Sequence, residues 1–134
     1  MDVFLSDSSE IPLPRNEVRI KDLKANPYPD GRRVRIAIEL TPFLEKPNGD
    51  IVVMDKDGNR IAASSFIETI IPKLEMTLHL RHDIRGAGEC TVFATIFYTE
   101  EITDDRQDNQ ILEMPEKLIV DEETTRFRLD DTGA

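Results

Sequence analysis

Alternation of apolar and polar side chains is the clearest signal in this chain. It is most regular at residues 33–41, where apolar side chains are separated by mostly charged ones. Because successive side chains of a β-strand point to opposite faces, this pattern predicts a strand with one buried and one solvated face. The predicted inward positions are Val34, Ile36, Ile38 and Leu40.

A strand and a hairpin are predicted on either side of this segment. Residues 18–25 alternate in the same way, with a bulge near Asp22, and end before two prolines that remove ladder donors. Residues 51–54 and 61–71 flank Asp57-Gly58, a dipeptide that tolerates the positive φ of a hairpin turn. Between the strands at 33–41 and 51–54, the sequence Pro47-Asn48-Gly49 predicts a turn.

The second half of the chain predicts three more strands. Residues 74–80 are rich in leucine, which also suits a helix, but their period of two favours a strand. Residues 89–98 place Cys90, Val92, Ala94 and Ile96 on one face, and residues 125–129 suggest a last strand. The pattern of residues 111–118 is ambiguous.

Seven to eight short strands without a sustained helical period predict an all-β fold, an antiparallel two-sheet sandwich. The length of 134 residues suits one domain with one core. We expect an extended leader at residues 1–16 and a single β-sandwich domain at residues 17–134, with an acidic loop at residues 100–110.

Residues 88–94, Gly-Glu-Cys-Thr-Val-Phe-Ala, resemble the penultimate strand of immunoglobulin-like and fibronectin type III-like domains. In those domains a glycine-led turn opens a strand of alternating inward residues. The resemblance implies an immunoglobulin-like sandwich architecture and no particular activity, because such sandwiches serve many functions.

Charge and composition exclude several classes of function. The net charge is −10, and from residue 100 onward there are 12 acidic and 4 basic side chains, a net of −8. A chain of this sign repels phosphate backbones, so we expect no nucleic-acid partner. The sequence has no apolar stretch long enough to span a membrane and no signal-peptide pattern, so we expect a cytoplasmic protein. Its lone Cys90 is interpreted as a small buried hydrophobe.

Candidate metal-binding residues have simpler explanations. Asp55 and Asp57 precede Gly58 as carboxylates do in calcium loops, but the register puts Val53 and Ser64 at ligand positions, so a hairpin turn is favoured. A solvated loop likewise explains a second group of carboxylates. That group consists of Asp104, Asp105 and Asp108. A calcium-dependent or carbohydrate-binding module therefore stays the alternative interpretation.

Two histidines also fail to predict a site. His79 and His82 could join Asp83 and Cys90 in a mixed metal site, but their spacing is not a standard one, and exposed histidines beside a polar loop are favoured. Neither histidine lies near a serine in a nucleophile elbow. We expect no catalytic residues, no metal, no cofactor and no enzymatic activity.

A non-enzymatic interaction or accessory domain is the leading hypothesis. In the strand at 89–98 one face is already apolar, so Phe93 and Phe97 on the other face need a cover. The cover is the C-terminal segment, a second copy or a protein partner.

A basic stripe on the first two strands is the second predicted surface. If these strands pair, the outward residues Arg19, Lys21, Arg33 and Arg35 line up. We expect part of the acidic segment at residues 100–123 to pack near this stripe, with the apolar residues Ile111, Leu112 and Ile119 as anchors. A solvated, disordered acidic segment is the alternative.

Overall fold

The computed structural model describes residues 11–100 and 116–130. Within these residues the chain forms one short 3-10 helix, Arg15–Glu17, and seven β-strands. In chain order the strands are β1 (Ile20–Pro27), β2 (Arg33–Leu40), β3 (Asn48–Met54), β4 (Arg60–Phe66), β5 (Lys73–His79), β6 (Cys90–Glu100) and β7 (Glu116–Phe127).

The strands form two antiparallel sheets that face each other across a common core. One sheet has the order β1-β2-β5, and the other has the order β4-β3-β6-β7. The β2–β5 and β3–β6 pairings join strands that are not consecutive in the chain, whereas the other three pairings join consecutive strands. The predicted all-β class and the antiparallel two-sheet sandwich are confirmed.

The core is built by the alternating positions that the sequence singled out. All four predicted inward residues of β2 are buried, and so are the four of β6, from Cys90 to Ile96. The leucine-rich segment is a strand, β5, and its Leu78 is buried opposite Val34. The predicted bulge in β1 is also confirmed, because the pairing with β2 shifts register between Ile20 and Asp22.

The predicted turn before β3 is wrong, although the turn after it is confirmed. Asn48 and Gly49 are the first two residues of β3 and are buried. Gly49 is required there because the ring of Phe66, its partner on β4, occupies the space where a Cβ would lie. After β3, Gly58 adopts a φ of 85° in the hairpin turn.

Two strand boundaries differ from the prediction. β4 ends at Phe66, so residues 67–71 leave the sheet instead of extending the strand. β7 begins at Glu116 and pairs with β6 along its whole length, which makes it much longer than the strand predicted at 125–129. Of the predicted acidic loop at 100–110, Glu100 ends β6 and the rest lies outside the described residues.

The connection between β5 and β6 closes one end of the sandwich. Ile84 is completely buried, and its amide donates to the Gly31 carbonyl at 2.9 Å. Beside it, hydrogen bonds from the Arg85 side chain and amide lower the pKa of Asp83 to about 2. This end is therefore polar on its surface and anchored by a core side chain. No helix in the described parts of the chain is long and apolar enough to cross a membrane.

Candidate interaction surface

The opposite end of the sandwich exposes apolar side chains. Two connections that cross between the sheets meet there, residues 41–47 after β2 and residues 67–72 after β4. The segment that leads into β1 contacts the first of these connections, because the Leu13 amide donates to the Pro42 carbonyl and the Leu44 amide to the Leu13 carbonyl. We call this the apolar end. Its exposed large hydrophobic residues are Ile11, Leu44, Ile67, Ile70 and Ile71.

Three of these residues lie in one connection, residues 67–72, which we call the isoleucine loop. Ile67, Ile70 and Ile71 are 77%, 72% and 50% exposed. In contrast, Thr69 between them is buried. Its hydroxyl donates to the Ile71 carbonyl at 3.0 Å and accepts from the Ile71 amide at 3.3 Å. The loop therefore turns its polar side chain inward and its apolar side chains to solvent.

Backbone contacts fix this loop at both ends. At its start the Thr69 amide donates to the Pro47 carbonyl at 3.1 Å, and at its end the Leu40 amide donates to the Pro72 carbonyl at 2.8 Å. Glu68 adopts a φ of 47°, a left-handed conformation that non-glycine residues adopt only where their surroundings hold them. The exposed isoleucines are thus presented by a pinned backbone.

Asn48 is the buried polar residue that links this loop to both neighbouring strands. Its side-chain oxygen accepts the Glu68 amide at 2.9 Å, and its Nδ2 donates to the Phe97 carbonyl at 3.3 Å. Since β3 begins at Asn48, one side chain connects β3, β6 and the isoleucine loop.

A mostly polar surface adjoins Leu44 and the start of the isoleucine loop. A shallow depression of about 290 Å³ lies between Leu44 and the start of the isoleucine loop. An ion pair at 2.6 Å joins Arg15 to Glu45 on its rim. Polar groups next to exposed apolar side chains are typical of the edge of a protein–protein contact. The lining residues are Arg15, Leu44, Glu45, Lys46, Asn48, Glu68, Tyr98 and Thr99.

The two phenylalanines predicted to face outward have different environments. Phe93 is 39% exposed on the outer face of its sheet, opposite Val52 of β3 and Thr124 of β7. Phe97 is only 8% exposed, and β7 of the same chain lies beside it, which is the first of the three covers considered. The β6–β7 register shifts between Ile96 and Phe97, and the Lys117 ammonium lies 4.5 Å from the Phe97 ring centroid. Phe97 is thus covered within the chain.

The predicted basic stripe does not form. β1 and β2 pair antiparallel, so Arg19 lies beside Thr41 at the apolar end, while Arg35 lies opposite Asn26 toward the other end. At a rise of about 3.3 Å per residue, the six positions from Arg35 to Thr41 place Arg19 about 20 Å from Arg35 along the strands. The cations also have acidic neighbours on their own sheet. These pairs are Lys21 with Glu39, Arg33 with Asp30 and Arg35 with Glu75.

Part of the acidic segment does lie against β1. The Val120 carbonyl accepts from Arg19 Nη1 at 3.4 Å, and the Asp121 carboxylate accepts the Ile20 amide at 2.8 Å. The proposed anchors Ile111 and Leu112 lie outside the described residues, and Ile119 is more than half exposed. Residues of β7 therefore make this contact directly with the start of β1.

Of the carboxylates considered for calcium, that of Asp55 holds the hairpin turn, and the second group lies outside the described residues. The Asp55 carboxylate accepts hydrogen bonds from the backbone amides of Asp57 and Asn59, each at 2.9 Å. The hydrogen bond from the Asn59 amide lowers the pKa of Asp55. Asp104, Asp105 and Asp108 lie outside the described residues. Within residues 11–100 and 116–130 no three His, Cys, Asp or Glu side chains gather as a metal site would require. The Cys90 thiol is buried, which raises its pKa.

The two tyrosines are expected to titrate separately. The Tyr98 hydroxyl donates to the Glu45 carbonyl at 2.8 Å, and burial raises its pKa to about 12. A hydrogen bond with Thr77 lowers the pKa of Tyr28. We expect ultraviolet absorbance to show two tyrosinate steps, of which the later one disappears in Tyr98→Phe. A raised folded pKa means that stability from Tyr98 is complete below about pH 10 and is lost as the pH rises toward about 12. A single step near pH 10 for both would contradict the assignment.

The chain matches no protein-family profile, and no curated protein sequence is similar to it. Parts of solved glycosidase structures resemble it. A β-glucuronidase from Ruminococcus gnavus in complex with uronic deoxynojirimycin is 16% identical over 84% of this chain, with a TM-score of 0.48. A Lactobacillus rhamnosus β-glucuronidase is also 16% identical over 84% of this chain, with a TM-score of 0.44. The matched region makes up 16% of each of these enzyme chains.

Proposed function

We propose that this chain is a non-enzymatic interaction domain that binds a protein partner through its apolar end. The observation that carries the proposal is the isoleucine loop, which exposes three large apolar side chains on a fixed backbone. Contiguous exposed apolar surface rimmed by polar groups is typical of protein interaction sites. Single exposed hydrophobic residues are common, but here five lie in segments at one end of the sandwich.

The energetics of this loop favour binding. Complete burial of an isoleucine side chain contributes roughly 1.5–3 kcal/mol, so a partner that covers Ile67, Ile70 and Ile71 gains several kcal/mol. Much of this gain is kept because the loop is already ordered by Asn48 and Thr69, and ordering a loop on binding would cost free energy. The isoleucine loop is therefore prepared for a contact.

The architecture proposed for this domain is immunoglobulin-like. Its strand order supports the assignment, since three strands, β1, β2 and β5, face a sheet that contains β3, β6 and β7. In antibody constant domains the fourth strand lies beside the fifth, whereas here β4 lies beside β3 in the other sheet. We interpret the chain as a variant of this architecture in which the fourth strand has changed sheets.

The proposal is tested by capturing partners with the wild-type chain and with the double variant Ile70→Ser and Ile71→Ser. We expect a partner whose dissociation constant, measured with purified components, rises about tenfold or more in the double variant, equivalent to about 1.4 kcal/mol or more. Phe93→Ser is the matched control, because it removes an exposed apolar side chain from the face of a sheet.

Equal affinity of the wild type and the folded double variant would overturn the assignment to the apolar end. A loss of binding in Phe93→Ser alone would move the contact to the outer face of the four-stranded sheet. Circular dichroism of each variant establishes that the fold is intact.

A further inference from the structure

The sequence contains one Asn-Gly dipeptide, Asn48-Gly49, at the start of β3. Asparagine loses its side-chain amide most readily when glycine follows it, because a residue without a side chain lets its backbone nitrogen approach the asparagine closely. The glycine nitrogen bonds to Cγ of the asparagine and ammonia leaves, which closes a succinimide ring. Water then opens the ring to aspartate or isoaspartate, so an amide is exchanged for a carboxylate.

The fold keeps the two reacting groups of this dipeptide apart. The Asn48 side chain is held at both of its polar atoms, since Oδ1 accepts the Glu68 amide at 2.9 Å and Nδ2 donates to the Phe97 carbonyl at 3.3 Å. Gly49 is paired with a residue of β4 on one side and with a residue of β6 on the other. Ring closure needs the Asn48 side chain to turn onto the Gly49 nitrogen, which these contacts prevent. The reaction therefore requires local opening at the start of β3.

A carboxylate at position 48 cannot restore the contacts of the amide. It has no hydrogen to donate to the Phe97 carbonyl, which accepts from Nδ2 in the intact chain. Asn48 is only 6% exposed, so the new charge is also buried, and burial of an unpaired charge is costly. Isoaspartate in addition lengthens the backbone of β3 by one carbon atom. The isoleucine loop thus loses the side chain that joins it to β3 and β6.

We propose that Asn48 is a deamidation site, at which a transient opening of the apolar end is made permanent and partner binding is lost. The consequence for binding rests on the proposed function, whereas the chemistry does not. Because the rate follows the population of the open state, the reaction is a timer that runs faster when the isoleucine loop is loosened. A partner bound to the loop favours the closed state and slows the reaction.

The first test follows the conversion of Asn48 by peptide mass spectrometry, in the native chain and in urea. We expect Asn48 to convert faster than the other asparagines in urea and at least about tenfold more slowly in the native chain, since opening costs free energy. Thr69→Ala removes the hydroxyl that holds the loop at Ile71, so we expect faster conversion in the native state and an unchanged rate in urea. Asn16 is exposed and precedes a glutamate, so it is the internal control and should convert slowly in both.

The second test uses Asn48→Asp, which carries the carboxylate that the reaction produces. We expect the sandwich to stay folded and hydrogen exchange at residues 67–71 to become at least about tenfold faster. Affinity for a partner at the apolar end should fall by a similar factor. Asn16→Asp is the matched control, because it makes the same change of charge at an exposed position, and it should alter neither exchange nor affinity.

Both tests can overturn the inference. The rates do so if Asn48 converts as fast in the native chain as in urea, if Thr69→Ala leaves the native rate unchanged, or if neither native chain converts at all. The variant Asn48→Asp does so if it unfolds completely or if exchange at residues 67–71 stays as in the wild type. The mass and exchange measurements need no partner, so failure of the partner experiment leaves them unaffected. A silent Asn48→Asp in turn leaves the isoleucine loop as the proposed contact surface.

Discussion

Replacing Ile36 with alanine is expected to lower the free energy of unfolding by about 2–5 kcal/mol, the range measured for large-to-small changes in close-packed cores. Ile36 is completely buried on the central strand β2, between Ala25 of β1 and Met76 of β5. Neighbours on both sides hold the backbone in place, so the cavity cannot collapse easily. Since the free energy of unfolding of a native protein is only about 5–15 kcal/mol, this change removes a large part of the stability. Urea denaturation followed by circular dichroism measures it.

Ile70→Ala is the matched control for this measurement. It removes the same atoms from a side chain that is 72% exposed. We expect a change within about 0.5 kcal/mol, as for most surface substitutions. A loss of less than about 1 kcal/mol in Ile36→Ala would contradict the close packing of the two sheets around β2.

Asn48→Ala is expected to lower the free energy of unfolding by about 1–3 kcal/mol and to loosen the isoleucine loop. The substitution removes the hydrogen bonds to the Glu68 amide and the Phe97 carbonyl. The cost arises because these backbone groups lose their partner where the fold gives limited access to water. Hydrogen exchange should show faster exchange at residues 67–71, and affinity for a partner at the apolar end should fall.

Asn16→Ala provides the comparison, because Asn16 is exposed and precedes β1. We expect neither stability nor hydrogen exchange at residues 67–71 to change in that variant. If exchange in the loop also stays unchanged in Asn48→Ala, the contacts of Thr69 and Pro72 alone hold the loop, and Asn48 has no role in presenting the isoleucines.

The sequence predicted the strands that are buried on one face. β2 and β6 were identified because burial of one face enforces strict alternation, and the hairpin after β3 because Asp57-Gly58 suits its turn. β7 was only partly identified. It is an edge strand with a mostly polar surface and is held by backbone pairing with β6, which leaves little alternation to detect.

The candidate site was missed because its signal belongs to tertiary structure. Ile67, Ile70 and Ile71 follow directly on β4, so their apolar character was interpreted as a continuation of the strand. The position of the turn depends on Asn48, whose partners lie 20 and 49 residues away. For Phe97, alternation along β6 does not reveal which of the possible covers is used, because its burial accompanies a register shift in the pairing with β7. Such contacts between distant residues leave no local pattern.

The strand order has a consequence for how the chain reaches this structure. Each sheet takes strands from both halves of the sequence, and Asn48 pairs with Phe97, 49 residues later. Closing the long loops between such strands costs conformational entropy before the pairing stabilises the chain. Folding is therefore slow compared with that of helical domains. β4 forms a hairpin with β3, the strand before it, whereas β6, the other neighbour of β3, comes two strands after β4 in the chain. During synthesis the β3 side of that hairpin therefore stays unpaired until β6 is made, and unpaired strand edges of this kind are prone to aggregation.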